Sequence, residues 1–78
     1  MSSKIKLSSL SPGLEAEICS LPPDELCASR LTELGFYPGA RIFRLYNAVF
    51  GDPCAFFVQG AVIALRRSES DRILVKPI

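Results

Sequence analysis

Apolar and polar positions change their period along this chain. Residues 14–19 (Leu-Glu-Ala-Glu-Ile-Cys) alternate with period two. That spacing sets Ala16 and Ile18 on one face of a strand and Glu15 and Glu17 on the other. Across 23–34 the period lengthens. Cys27, Leu31 and Leu34 recur at i, i+4 and i+7 and predict one apolar helical stripe, with Arg30 and Glu33 turned to water. Pro22-Pro23 suits a helix start, and Asp24 and Glu25 place negative charge at the positive end of the helix dipole. Gly35 follows Leu34, where a left-handed cap is needed. Pro38-Gly39 then turns the chain.

Beyond that turn the period returns to two. Residues 40–46, 54–59, 61–66 and 72–76 read as strands, rich in branched and aromatic side chains. Gly60 joins two of them tightly, and Gly51-Asp52-Pro53 marks a hairpin loop after Ala48. Arg41 and Arg44 stand three apart, which breaks the alternation and predicts a bulge or strong bend. A weak alternation over 3–8, with Lys4 and Lys6 flanking Ile5, predicts an edge strand, and Ser11-Pro12-Gly13 a turn. Residues 68–71 predict a polar turn, up to one turn of 3₁₀ helix.

These elements predict a mainly β fold, a small closed barrel with one short inserted helix, because closure removes exposed edges. The expected interior is Ala16, Ile18, Leu31, Leu34, Ile42, Phe56, Val58, Ile63, Leu65, Ile73 and Val75. The chain has 78 residues, which predicts one domain with a thin core. Apolar residues make up 49% of it, so some must reach the surface, where large apolar patches mark interaction sites.

The formal net charge of +1 argues against a binder of nucleic acid, which needs a basic excess, and gives no reason to expect direct membrane contact. No apolar run is long enough for a membrane span or a signal peptide. Three cysteines, Cys19, Cys27 and Cys54, form neither an even disulfide set nor a C-x-x-C pair. Together these features predict a reduced, cytoplasmic protein. Histidine is absent, and with it the commonest general base and metal ligand. No phosphate loop is present. The sequence therefore predicts no enzyme, no metal site and no cofactor.

The order and spacing of several motifs resemble the FeoA family, small components of bacterial ferrous iron transport. The matching residues are Leu31 through Gly39, Gly51-Asp52-Pro53, Gly60, Leu65-Arg66-Arg67 and Ile73-Leu74-Val75, with Leu7, Leu10, Pro12-Gly13 and Ile18 before them. The resemblance implies an SH3-like barrel in the cytoplasm, binding and regulating FeoB, a membrane transporter with a GTP-binding domain. It also implies recruitment to the inner membrane through that partner, without insertion. The alternative is a free-standing SH3-like peptide-binding or regulatory domain, related to the C-terminal domain of metal-dependent repressors. No DNA-binding helices stand upstream of the barrel motifs. The family commonly has Ala-Pro before Gly51, whereas Ala48-Val49-Phe50 stands here, which puts an aromatic at the hairpin tip.

If alternate strand residues face inward, Phe57, Val62 and Leu74 face outward. Two roles are open for them: a second small core under the helix, or a docking surface for a partner or a second copy of this chain. Phe36 and Tyr37, beside the helix end, either pack the helix onto the barrel or anchor a partner. Phe50 adds a further candidate anchor. Arg66 and Arg67 either end a strand in water or meet an acidic segment of a partner. Titration with Fe²⁺ under anaerobic conditions is expected to reveal no tight stoichiometric site; observing one would overturn the reading of an interaction module.

Overall fold

The computed structural model describes residues 3–47 and 52–78. Six strands and two helices follow one another: β1 (Ile5–Lys6), β2 (Glu15–Ser20), α1 (Glu25–Leu34), β3 (Arg41–Asn47), β4 (Cys54–Val58), β5 (Ala61–Leu65), α2 (Arg67–Ser70) and β6 (Leu74–Pro77). The strands form one antiparallel sheet in the order β1-β6-β2-β3-β4-β5. Their inner faces share a single core, which runs from Val75 of β6 through Ile18, Ile42 and Phe56 to Leu65 of β5. The sheet is therefore curled around its own interior. Full closure, expected from the sequence, is not reached: no ladder among the described residues joins β1 to β5.

The reason lies at the N-terminal end. An edge strand over 3–8 is expected, yet only Ile5–Lys6 pair, and Leu7–Ser9 coil into a 3₁₀ turn. Three residues per turn place Leu7 and Leu10 on the same side, and both are fully buried. Burying two leucines outweighs extending a ladder that Lys4 and Lys6 keep wet.

Most other elements follow the sequence pattern. Asp24 caps α1 by accepting from the Leu26 N–H at 3.1 Å. Gly35 ends it at φ 105°, with its N–H donating to the Leu31 and Thr32 carbonyls. A Cβ at Gly35 would come within 2.9 Å of Gln59 Cγ, so the helix end sits directly on the β4–β5 turn. Leu31 is buried in the core, with Cys27 and Leu34 half-buried against it. The expected polar turn at 68–71 is a turn of α-helix instead, with Ser70 fully buried and its hydroxyl donating to the Arg67 carbonyl at 3.2 Å.

The broken alternation in β3 has a specific cause. Ile42 and Arg44 both point inward, and Phe43 points out. Arg44 is only 7% exposed. Its Nη1 donates to the Ser8 carbonyl at 2.9 Å and to the Leu10 carbonyl, and its Nη2 donates to Cys54 Sγ at 3.1 Å. Its backbone N–H donates to the Leu14 carbonyl at 2.9 Å, and its own carbonyl accepts from Gly13 at 2.8 Å. The register against β4 shifts just beyond it, between Arg44 and Asn47, as the spacing of the arginines predicts.

Replacing Arg44 by Met would keep the stem and strip carbonyls of their donor. Arg44→Met is expected to cost about 3 kcal/mol in urea unfolding, the scale of losing charged hydrogen bonds inside a protein. Gly35→Ala forces a side chain into left-handed backbone and is expected to cost about 1–3 kcal/mol in the same assay.

Candidate interaction face

The outer side of β3, β4 and β5 carries an apolar row. In β4, Cys54, Phe56 and Val58 turn inward, so Phe57 turns outward. Phe57 pairs with Phe43 across β3 and with Val62 across β5. Directly opposed side chains on one sheet face lie roughly 5 Å apart, so the three are contiguous. They are 39% (Phe43), 46% (Phe57) and 62% (Val62) exposed. The helix does not cover them, so the second-core role is set aside at these positions.

A polar margin borders the row on one side. Glu15 of β2 pairs with Phe43, and its carboxylate lies 3.8 Å from Arg41 Nη1. On the other side lies the end of the sheet, where Ala61 and Ala64 of β5 are also exposed. The row offers aromatic and branched area but no acid, base or nucleophile. Its chemistry is recognition by burial, with each Phe ring contributing about 1.5–3 kcal/mol if fully covered.

The other expected residues disperse. Leu74 is partly exposed but belongs to β6, which β2 and β3 separate from β4. Its cross-strand neighbours are Lys6 and Ser20, so it does not join Phe57 and Val62 in one patch. Phe36 is fully buried and meets Phe56 edge to face, with centroids 6.3 Å apart. It is a core residue, because the N–H of Phe36 donates to the Leu31 carbonyl at 2.9 Å and folds the chain back under the helix. Tyr37 stays exposed, its hydroxyl accepting from Gln59 Nε2 at 3.0 Å beside the β4–β5 turn. Arg66 is exposed at the end of β5, where its N–H donates to Glu69 Oε1 at 3.2 Å. Arg67 follows it, with its N–H donating to Asp52 Oδ1 at 3.0 Å. Phe50, with the rest of the hairpin tip at 48–51, lies outside the described residues.

Phe43 escapes the sequence reading. Its outward direction follows once Ile42 is placed inside, but the misfit of Arg44 hides that parity. Leu26, 84% exposed on α1, escapes it too. Among the described residues, no three Cys, Asp or Glu side chains converge as metal ligands. No helix among them is long and apolar enough to cross a membrane.

The FeoA domain family matches residues 5–77. FeoA from Chlorobium tepidum is 34% identical, with a TM-score of 0.88 over 95% of this chain and 70% of its own. FeoA from Stenotrophomonas maltophilia, solved with zinc and described as a prokaryotic SH3 domain protein, is 32% identical, with a TM-score of 0.77 over 96% of this chain and 88% of its own. A manganese-dependent transcriptional repressor is 14% identical at a TM-score of 0.86, over all of this chain and 44% of its own. At that identity the likeness is one of fold alone. No curated protein matches the chain. The curled sheet, SH3-like and carrying one helix between its second and third strands, is the unit these proteins have in common. With the family match running from β1 to the end of β6, this chain belongs to the FeoA domain family.

Proposed function

We propose that this protein is a cytoplasmic accessory of ferrous iron transport that acts by docking onto a membrane transporter of the FeoB kind. Family membership supplies the process, and relatives at about a third identity carry iron-transport descriptions, one of them as a candidate activating factor for ferrous iron transport. The observation that carries the docking role is the exposed row Phe43, Phe57 and Val62 on regular, well-paired strands. A rigid strand surface holds such side chains in place before a partner arrives, which lowers the ordering cost of binding. Aromatic anchors at the centre of an interface carry a large share of its energy. Glu15 and Arg41 would then form part of its polar rim.

Tagged protein recovered from membranes of its own host is expected to bring the transporter with it. Phe57→Lys is expected to reduce that recovery at least tenfold while leaving the circular dichroism spectrum unchanged. Leu74→Lys, three strands away from β4, is expected to have much less effect. Equal loss from both variants would remove the row from the argument, and failure of the wild-type protein to recover any transporter would overturn the proposal.

A further inference from the structure

The two ends of the sheet are built differently. β1 has two residues, and Lys4 and Lys6 surround Ile5. Short length and lysine are devices that keep an edge from pairing with another chain. β5 has neither. Its five residues, Ala-Val-Ile-Ala-Leu, carry no charge, no proline and no bulge, and their register against β4 is unbroken. β4 is the one described strand laddered with β5.

The backbone of that edge is available in a defined pattern. Gln59 and Gly60 form a two-residue connection with positive φ at both positions, which makes Val58 and Ala61 a hydrogen-bonded pair. Antiparallel alternation then directs the N–H and C=O groups of Ile63 and Leu65 to β4 and those of Val62 and Ala64 away from it.

We propose that β5 pairs antiparallel with β5 of a second copy of this chain, centred on Ile63. In this register Val62 of each copy exchanges hydrogen bonds with Ala64 of the other, and Ala61 stands opposite Leu65. The two flanking pairings each set a large side chain against a small one, and Ile63 meets its own copy on the axis. Centring on Val62 or on Ala64 would pair only three strand residues of each copy, whereas centring on Ile63 pairs all five. Charge also fits the first register. Arg66 and Arg67 follow β5 at one end and the Gln59–Gly60 turn precedes it at the other, so antiparallel pairing sets the basic ends of the two copies apart. The row Phe43–Phe57–Val62 then runs on into Ala64 and Ala55 of the second copy, continuous across the seam. A contact of five residues a side falls short of the roughly 1,000 Å² expected of a stable interface, so the pairing is reversible and dependent on concentration. It leaves the outer side of Phe57 open, and it does not rest on the iron-transport reading.

The test uses purified protein alone. Ile63 lies at the non-hydrogen-bonded pair on the axis, where Cα atoms approach to about 4.5 Å, within reach of a disulfide. Ile63→Cys is expected to form a covalent dimer linked through position 63 under mild oxidation, identified by peptide mass mapping. Ser68→Cys, exposed but off the strand, is the collision control. In a concentration series of amide NMR spectra, Val62 and Ala64 are expected to shift, and Ala64→Lys is expected to abolish those shifts while the remaining spectrum stays folded. Cross-linking of Ile63→Cys no greater than that of Ser68→Cys, with amides fixed across the series, would overturn the proposal. So would concentration-dependent shifts confined to β1 and β6.

Discussion

The structure depends on a charged side chain held inside a thin core. Arg44 binds the carbonyls of the 3₁₀ turn, the thiol of Cys54 and, through its backbone, the turn at Gly13 and Leu14. Taking a guanidinium out of water is costly, and here two backbone carbonyls receive Nη1 and the Cys54 sulfur receives Nη2. The segment 7–14 has no strand of its own to pair with. It is fastened instead by Arg44 of β3 and by the Leu7 N–H donating to the Ile73 carbonyl at 2.8 Å, which lets Leu7 and Leu10 act as a plug at that side of the core. A total stability of roughly 4–12 kcal/mol for a chain of this size leaves little margin for losing such a fastening.

Smaller contacts continue the same logic along one side of the molecule. The Ser8 hydroxyl donates to Asp71, just after α2, and Arg30 of α1 reaches Glu69 of α2. These tie both helical elements and the 3₁₀ turn to one another. The outer faces of β3, β4 and β5 carry the apolar row, with the Glu15–Arg41 pair at its margin. With the docking role proposed above, stability and recognition would fall to different parts of one sheet. On that proposal a substitution at Phe57 is expected to read on binding, and one at Arg44 on folding.

Much of this was legible in the sequence where period and punctuation agreed. Helix α1, its cap at Asp24 and its left-handed end at Gly35 follow from spacing and residue type, and so do the hairpin at Gly60 and the inward set Phe56, Val58, Leu65 and Val75. The errors share a cause: a local pattern overruled by a distant partner. Ile5 to Leu7 alternates like a strand, but Leu7 is claimed by the core. Arg44 looks solvated by type and is buried, because carbonyls 34 and 36 residues earlier receive it. That inversion concealed the direction of Phe43 and with it the centre of the row. Phe36 fits either role by sequence, and its full burial and edge-to-face contact with Phe56 decide for the core. Leu74 has the outward parity expected of it, but strand order, which no local pattern encodes, puts it elsewhere.

The pairing of β1 with β6 sets Ile5 beside Val75, so the chain enters and leaves the fold at neighbouring points. A unit whose two ends meet can be spliced into a longer polypeptide with little disturbance to either, like a bead added to a string. The same architecture recurs within a repressor more than twice as long, and the adjacency of the ends gives a physical reason why such embedding is easy. The fold is portable because its first and last strands are partners.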